Sequence, residues 1–261
     1  MSQDDPRDDR RDELHGLERM NARGKLLLED ESYFTLPNLR PRDAATLILI
    51  ENSGRTPKVL LGKRHHSHKF LPGKYVFPGG RVEPLDKRMP TARPLDRHAE
   101  ERLMRAVKRP SPVKARALAL AAIRETYEET GLLLGAPAPP TGTPPGAWAA
   151  FGQAQILPDL AAMHFVARAI TPPRRPKRFD TRFFAADAGT IAQRIDGMIG
   201  PDAELVDLVW MSIKEARQLD MPDITAVVLE ELEARIAAGL GHDLPVPFYQ
   251  MLHRHFVREL L

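Results

Sequence analysis

The chain of 261 residues is long enough to bury a complete hydrophobic core, and it carries 28% charged residues and a formal net charge of +3. This composition is typical of a globular domain in water, and the small positive excess only weakly indicates an anionic partner. Cysteine is absent, which excludes disulfides, thiolate nucleophiles and cysteine-ligated zinc. Apolar runs are too short for a transmembrane helix, and the acidic start lacks the features of a secretion signal or transit peptide. These features fit a cytoplasmic protein.

The first elements follow a charged N-terminus. Residues 1–24 are rich in Asp, Arg and Glu without an apolar period, so we expect a flexible tail or a loosely attached helix before a single domain, 25–261. The run AATLILIE at 44–51 predicts a buried strand, and KVLLGKR at 58–64 predicts the returning strand. YVFPGG at 75–80 indicates a short strand broken by proline and glycine.

A basic stretch at 87–116 comes next, and we expect it to be an insertion that forms a helical surface excursion. Ser111 is a candidate N-cap, with Pro112 at the first helical position. The helical pattern then continues through 112–130 and ends at Gly131.

The second half is predicted to hold a proline-rich loop, 135–147, followed by strands and then helices. A capping box formed by Ser212 and Glu215 predicts a short helix. We expect the whole C-terminal part, 212–261, to be helical, including the amphipathic stretch PFYQMLHRHFVREL. The predicted strands are 162–170, 179–186 and 204–211, and a second helix is predicted at 223–238. Trp210 and Phe248 are expected in the core.

The clearest chemical signal is RETYEETG, where Glu125, Glu128 and Glu129 precede a helix-ending glycine. Spacings of three and four place these glutamates on one face of a helix. Acidic side chains in a last turn oppose the negative end of the helix dipole, which costs about 0.3–1 kcal/mol each. Converging carboxylates are the ligands that Mg²⁺ or Mn²⁺ prefers, and a bound cation would cancel their repulsion. The alternative is a solvated charged face.

A glycine-rich turn, FPGG, precedes this helix in the chain. Pro78 fixes one backbone angle, while Gly79 and Gly80 allow a ligand to approach the backbone closely. A backbone carbonyl at this turn would be a further oxygen ligand for a metal ion. Taken alone, the sequence PGG indicates only a turn.

Together these segments resemble the Nudix hydrolase signature, G-x5-E-x7-R-E-U-x-E-E-x-G-U, where U is a bulky aliphatic residue. Thr126 replaces one aliphatic residue of the pattern. In the chain, 37 residues separate the first acid from the arginine where the family has seven, so an insertion of 30 residues splits the signature. The matching residues are Gly80, Asp86 in place of the first glutamate, Arg124, Glu125, Glu128, Glu129, Gly131 and Leu132.

A second resemblance lies just upstream. Coenzyme A diphosphatases of this family carry LLTxRSxxxRxxxGxxxFPGG, and the chain has LLGKRHHSHKFLPGKYVFPGG at 60–80. Arg64 matches, while Lys69 stands where a second arginine is expected. The mammalian peroxisomal coenzyme A diphosphatase is similar in having a long insertion in its Nudix signature. The later segments FDTRFF, at 179–184, and Glu204…Trp210…Glu215-Ala216 also look like features of that group.

The resemblance implies an α+β fold: a Nudix-type α/β/α sandwich with a mixed sheet, a helical insertion and C-terminal helices. It implies hydrolysis of a nucleoside diphosphate derivative with Mg²⁺ or Mn²⁺, and the preferred substrate is coenzyme A or acyl-coenzyme A. The expected products are 3′,5′-ADP and (acyl-)4′-phosphopantetheine.

The resemblance also assigns residues. The catalytic metal ligands are Glu125, Glu128, Glu129 and the Gly80 carbonyl, with Glu125 also the base for the attacking water. The family has another acid from a later segment, for which we choose Glu204, with Asp202 and Asp207 as rivals. Arg64, Lys69 and Arg124 are assigned to the substrate.

Three other functions stay open. The substrate of the enzyme could instead be ADP-ribose or another nucleoside diphosphate sugar. A non-catalytic, nucleotide-binding regulatory Nudix domain is the alternative from another class, although such domains typically lose signature glutamates that this chain keeps. A nucleic-acid partner is disfavoured because the basic stretch lacks interleaved aromatic residues. We expect no membrane partner, and a homodimer is left open.

Overall fold

The computed structural model describes residues 16–22, 24–25, 36–67, 71–138 and 144–261. Its centre is a nine-stranded mixed sheet, which confirms the predicted α+β class. The strand order is β11-β2-β1-β9-β8-β12-β13, with β3 paired to β2 and β4 paired to β1. The pairs β1–β9 and β8–β12 are parallel, and the other pairs are antiparallel. These strands are β1 (Arg42–Glu51), β2 (Lys58–Arg64), β3 (Tyr75–Val76), β4 (Gly79–Arg81), β8 (His164–Ile170), β9 (Phe179–Asp187), β11 (Leu205–Ser212), β12 (Pro247–Leu252) and β13 (His255–Leu260).

Smaller elements surround the sheet. Two short ladders join β5 to β10 and β6 to β7. Among the described residues, no helix is both long and apolar enough to cross a membrane. The short strands are β5 (Leu132–Leu134), β6 (Ala136–Pro137), β7 (Ile156–Leu157) and β10 (Ile191–Arg194), and the labelled helices are α1 (Arg97–Leu103), α2 (Pro112–Thr130), α3 (Ala149–Gln153), α4 (Ile213–Ala216) and α5 (Asp223–Ala237).

Two hydrophobic clusters cover the two faces of the sheet. Helix α2 supplies the first cluster, in which Leu118 and Ala122 pack against Leu47 and Leu49 of β1. Helix α5 supplies the second cluster, which contacts the opposite side chains of the same strands. Because side chains alternate along a strand, each central strand contributes to both cores. The predicted sandwich of helices around a sheet is therefore present.

Helix α2 has the predicted bounds because its ends are chemically defined. The Ser111 hydroxyl accepts a hydrogen bond from the Lys114 N–H at 3.4 Å, and Pro112 occupies the first turn. Gly131 ends the helix in the left-handed region, at φ 75°. A side chain at Gly131 would also collide with the carbonyl of Ile195. Glycine is therefore required both by the positive φ and by the lack of room for a Cβ atom.

The basic stretch at 87–116 is helical in part, and several of its apolar side chains are buried instead of lying on the surface. Asp96 caps the N-terminus of α1 by accepting a hydrogen bond from the His98 N–H at 2.8 Å. Leu95, Ala99 and Leu103 are buried in the cluster formed with α2. This stretch therefore contributes apolar surface to the core, although its many charges predicted an exposed segment.

The prediction that the C-terminal part, 212–261, is helical is wrong beyond α5. Residues 247–260 form the hairpin β12–β13, joined by a two-residue turn in which His253 and Arg254 have φ of 48° and 70°. Such turns normally use Asn-Gly or Gly-Gly, and the pair His253-Arg254 carries no such hairpin signal. Phe248 is buried, as expected, because β12 also pairs with β8.

The described part of the charged N-terminal segment is a helix that contacts the domain. Residues 16–22 are helical, and Met20 is buried against the α5 cluster. Asn21 exchanges two hydrogen bonds with the backbone of Phe256, at 3.3 Å and 2.7 Å. Positions 1–15 and 23 lie outside the described residues. In the predicted loop at 135–147, β6 is a short strand, and 139–143 also lie outside the described residues.

Candidate active site

Asp86 is a fully buried carboxylate that connects the segment after the double-glycine turn to helix α2. Its oxygens accept hydrogen bonds from Arg124 Nε at 2.9 Å, Trp148 Nε1 at 3.2 Å and the Glu83 N–H at 2.7 Å. Asp86 lies in a short 3-10 helix, Pro84–Lys87, at the start of the basic stretch. Asp86 and Arg124 are therefore in direct contact, although 37 residues separate them in the chain.

Arg124 directs all five N–H groups to protein acceptors. Nε and Nη2 donate to Asp86, Nη1 donates to both Glu125 and Glu128, and Nη2 also donates to the Arg81 carbonyl at 2.7 Å. Burial opposes the charge of Arg124, but the hydrogen bond to Asp86 and the neighbouring carboxylates together raise its pKa. The predicted substrate-binding role of Arg124 does not agree with this geometry, because a buried and saturated guanidinium has no donor left for a ligand. Its contacts instead fix two of the glutamates.

The double-glycine turn meets the glutamate cluster directly. The Gly79 N–H donates to Glu129 Oε2 at 3.0 Å. A Cβ atom placed on Gly80 would overlap the carboxylate of Glu125. Strand β4 holds both glycines by pairing with Ala45 and Thr46 of β1. The structure therefore brings together two segments that lie more than 40 positions apart in the chain.

The carboxylates form one anionic patch in a partly dehydrated setting. Desolvation raises the pKa of Glu125 to about 7, with Arg124 opposing the shift and Glu128 and Glu204 adding to it. Desolvation also raises the pKa of Glu129 well above its ordinary value, and the charge of Glu204 contributes to this shift against the opposing Gly79 N–H. Negative charge is therefore incompletely compensated at this place.

The donor set fits a hard divalent cation. Carboxylate and carbonyl oxygens are the ligands that Mg²⁺ and Mn²⁺ prefer, and a cation would reverse the unfavourable ionisation of Glu125 and Glu129. Within the described part of the chain, no three acidic or histidine side chains already form a metal cage. Glu125 and Glu128 are turned toward Arg124 instead.

Glu204 is the acidic candidate whose charge acts on Glu125 and Glu129. Its carboxylate pairs with Arg64 Nη1 at 2.8 Å, which places Arg64 beside the patch. Among the rivals of Glu204, Asp202 is exposed, and Asp207 is exposed on β11 opposite Lys63. Lys69 lies outside the described residues.

The two tryptophans lie in different surroundings. Trp148, to which the sequence assigned no role, is buried and donates a hydrogen bond to Asp86, so it helps to position the ion pair with Arg124. Its only sequence signal was a lone aromatic residue after a proline-rich segment. Trp210 was expected in the core, but it is 37% exposed. It lies on β11, which is an edge strand of the sheet and leaves one side of the residue open.

No family model matches the chain. A Nudix hydrolase structure from Alicyclobacillus acidocaldarius is similar at 27% identity, covering 76% of this chain and 96% of that chain with a TM-score of 0.55. The Nudix hydrolase RenU from M. smegmatis matches at 14% identity over 78% and 95% of the two chains, with a TM-score of 0.40. The MutT protein from Methanosarcina mazei Go1 matches at 15% identity over 76% and 98%, with a TM-score of 0.41. The chain has the Nudix fold, and its likeness to the first of these structures supports a pyrophosphohydrolase of the Nudix superfamily.

Proposed function

We propose that the protein is a metal-dependent hydrolase that cleaves the diphosphate bond of a nucleoside diphosphate derivative. The preferred substrate is coenzyme A or acyl-coenzyme A, which would give 3′,5′-ADP and the (acyl-)4′-phosphopantetheine. One observation carries the proposal: the Gly79–Gly80 turn lies against the carboxylates of Glu129 and Glu125. A metal site beside a turn that a ligand can approach is what hydrolysis of a diphosphate requires.

The residues have distinct proposed roles. Glu125, Glu128 and Glu129 hold the cation together with the Gly80 carbonyl, and Glu204 is the further acidic ligand. A bound Mg²⁺ or Mn²⁺ supplies neutralising charge beside the diphosphate and lowers the pKa of nearby water. Glu125 accepts the proton of the water that attacks phosphorus. Arg124 does not touch the substrate in this scheme, but sets the position of Glu125 and Glu128 through its hydrogen bonds.

The preference for coenzyme A rests on the segment 60–80 and on Arg64. This guanidinium lies beside Glu204 at the edge of the patch, where it could donate charge-assisted hydrogen bonds to phosphate oxygens. Lys69 is proposed as a second cation for the phosphates. A substrate that carries both a diphosphate and a 3′-phosphate has more negative charge to bind than a nucleoside monophosphate. Two cationic side chains, Arg64 and Lys69, suit such a substrate.

The alternatives remain separable by experiment. ADP-ribose and other nucleoside diphosphate sugars share the diphosphate but lack the 3′-phosphate and the pantetheine arm. A regulatory domain would bind nucleotide without turnover. The presence of all three signature glutamates favours an enzyme over a regulatory domain.

A substrate panel tests the proposal. Coenzyme A, acetyl-coenzyme A, ADP-ribose, NADH and capped RNA are each incubated with the full chain and Mg²⁺ or Mn²⁺, and products are separated by chromatography. We expect 3′,5′-ADP from coenzyme A, at a rate above that for the other substrates, and no product with EDTA. Faster cleavage of ADP-ribose would overturn the coenzyme A preference. Absence of turnover on every diphosphate would overturn the proposal that the protein is a hydrolase.

A further inference from the structure

Trp210 is an exposed aromatic residue in a position that the catalytic scheme does not use. Among the described residues, the large exposed hydrophobic side chains comprise five aliphatic residues and this one aromatic ring. A tryptophan buries a large apolar area when it is covered, so the exposed part of this ring offers area that a ligand could cover if it faces the candidate site. The question is whether this ring faces the candidate site.

The strand register places Trp210 on the same face of the sheet as helix α2. Trp210 lies directly opposite Leu60 in the antiparallel β2–β11 pair, and Leu60 belongs to the α2 cluster. Leu208, two residues before Trp210, packs against the same cluster, whereas Val209 and Met211 pack against the opposite one. Because directly opposed side chains share a face, Trp210 projects on the side that carries the glutamates.

The same strand pair leads from Trp210 to the anionic patch. Arg64 lies four residues after Leu60 on β2 and therefore points to the same face, beside Glu204. Four strand residues span about 13 Å. This separation suits a nucleotide whose diphosphate lies at the carboxylates and whose base extends along the sheet edge.

We propose that Trp210 is the stacking surface for the purine base of the substrate. The proposal rests on the proposed function and deepens it, because it assigns the nucleoside half of the substrate to the β11 edge. A planar indole with one open side accepts a base by stacking and shows little preference among bases, so Trp210 would set affinity for the nucleoside half of the substrate. The pantetheine half then leaves the patch in another direction.

Intrinsic fluorescence gives a direct readout, since the chain has two tryptophans and Trp148 is buried. The full chain is titrated with 3′,5′-ADP, with pyrophosphate or with pantetheine, in the presence of Ca²⁺. We expect 3′,5′-ADP to quench the emission and the other two ligands to leave it unchanged. The variant Trp210→Phe, which keeps only Trp148, should show no quenching. Quenching by pantetheine alone, or no quenching by 3′,5′-ADP, would overturn the proposal.

Kinetics provide the second measurement. Trp210→Leu keeps an apolar side chain but removes the ring, so we expect KM for coenzyme A to rise about tenfold while kcat stays within about twofold. The matched control is Leu260→Ala, which removes an exposed apolar side chain at the opposite edge strand and should leave KM unchanged. An unchanged KM in Trp210→Leu, with the same thermal midpoint as the wild type, would overturn the stacking role.

The two proposals can fail separately. If no diphosphate is hydrolysed but 3′,5′-ADP still quenches Trp210, the binding surface stands and the catalytic proposal falls. If coenzyme A is hydrolysed but 3′,5′-ADP does not quench Trp210, the catalytic proposal stands and the stacking role of Trp210 falls.

Discussion

Asp86 and Arg124 lie 38 positions apart in the sequence, yet their side chains form a buried ion pair with Nε and Oδ1 separated by 2.9 Å. The pair joins the segment before the basic stretch to helix α2, where Arg124 also holds Glu125 and Glu128. The arrangement of the glutamate cluster therefore depends on a residue that precedes the basic stretch.

Replacing Asp86 should destabilise the protein strongly. Asp86→Asn keeps the shape but removes the charge opposite a buried guanidinium, so we expect the free energy of unfolding to fall by about 3 kcal/mol. The control is Asp196→Asn, which breaks an exposed ion pair with Arg194 and should change stability by less than about 1 kcal/mol. Urea denaturation measures both. Equal effects of the two variants would show that the buried pair is unimportant.

Glu129→Gln should separate catalysis from folding. Glutamine still accepts the hydrogen bond from the Gly79 N–H, and it removes a carboxylate whose pKa is raised by desolvation. We therefore expect most turnover to be lost while the metal-free thermal midpoint is unchanged or higher. Glu101→Gln on helix α1 is the control, and its activity should be normal. Full metal-dependent activity of Glu129→Gln would refute the metal assignment.

The two glycines of the turn should respond differently to alanine. A Cβ on Gly79 would lie 2.6 Å from the Ala45 carbonyl and 2.7 Å from the Thr46 Cα, so Gly79→Ala should impair folding. A Cβ on Gly80 would meet the carboxylate of Glu125, so Gly80→Ala should lower kcat with a smaller loss of stability. Gly54→Ala is the control, because its Cβ would meet nothing within 4 Å. Thermal denaturation and turnover are measured for each variant. A fully active Gly80→Ala would contradict the claim that a Cβ at this position displaces the Glu125 carboxylate.

A second buried charge network should show strong coupling. Asp180 accepts two hydrogen bonds from Arg168, each at 2.8 Å, and lies 3.1 Å from Arg182, which is fully buried. Asp180→Asn leaves two neighbouring guanidinium groups poorly compensated, with an expected loss of about 3 kcal/mol. Adding Arg168→Met should recover part of that loss, because it removes one of the two cations. A double-mutant cycle with additive effects would contradict the network.

His164 should make the fold sensitive to acid. Burial, followed by the charges of His242 and Arg235, lowers the pKa of His164 to about 4, against the opposing effects of Asp96 and the Leu240 carbonyl. The imidazole of His164 also stacks on that of His242, with ring centroids 4.1 Å apart. Since the unfolded state takes up a proton near pH 6.5 and the folded state does so only near pH 4, stability falls as pH decreases through this range.

The size of this effect can be measured by urea denaturation at pH 7 and pH 4.5. We expect His164 to contribute a loss on the order of 1–2 kcal/mol, allowing for its partial exposure. His164→Gln should lose less stability than the wild type between the two pH values, and the exposed turn variant His253→Asn should behave like the wild type. An identical loss in His164→Gln would assign the acid sensitivity to other groups.

Local chemistry made α2 predictable, because a serine cap, a first-turn proline and a terminal glycine define its ends in the sequence itself. Strand β2 also has the predicted bounds, and β1, β8, β9 and β11 begin and end within about two residues of expectation. Tertiary relationships were not readable in this way. The partnership of Trp148 with Asp86 joins distant segments, and the burial of Leu95 and Leu103 is hidden among charged neighbours. The C-terminal hairpin was missed because His253 and Arg254 adopt positive φ without glycine.

Direct measurement of Mn²⁺ binding is the sharpest test of the claim that the glutamate cluster holds a divalent cation. Free Mn²⁺ is followed by electron paramagnetic resonance while the full-length wild type and the variants Glu125→Gln, Glu129→Gln and Glu101→Gln are titrated. We expect the first two variants to bind at least about tenfold more weakly than the wild type, and Glu101→Gln to bind equally well. If Glu125→Gln and Glu129→Gln bind Mn²⁺ as tightly as the wild type, the cation is held elsewhere and the proposed site is wrong.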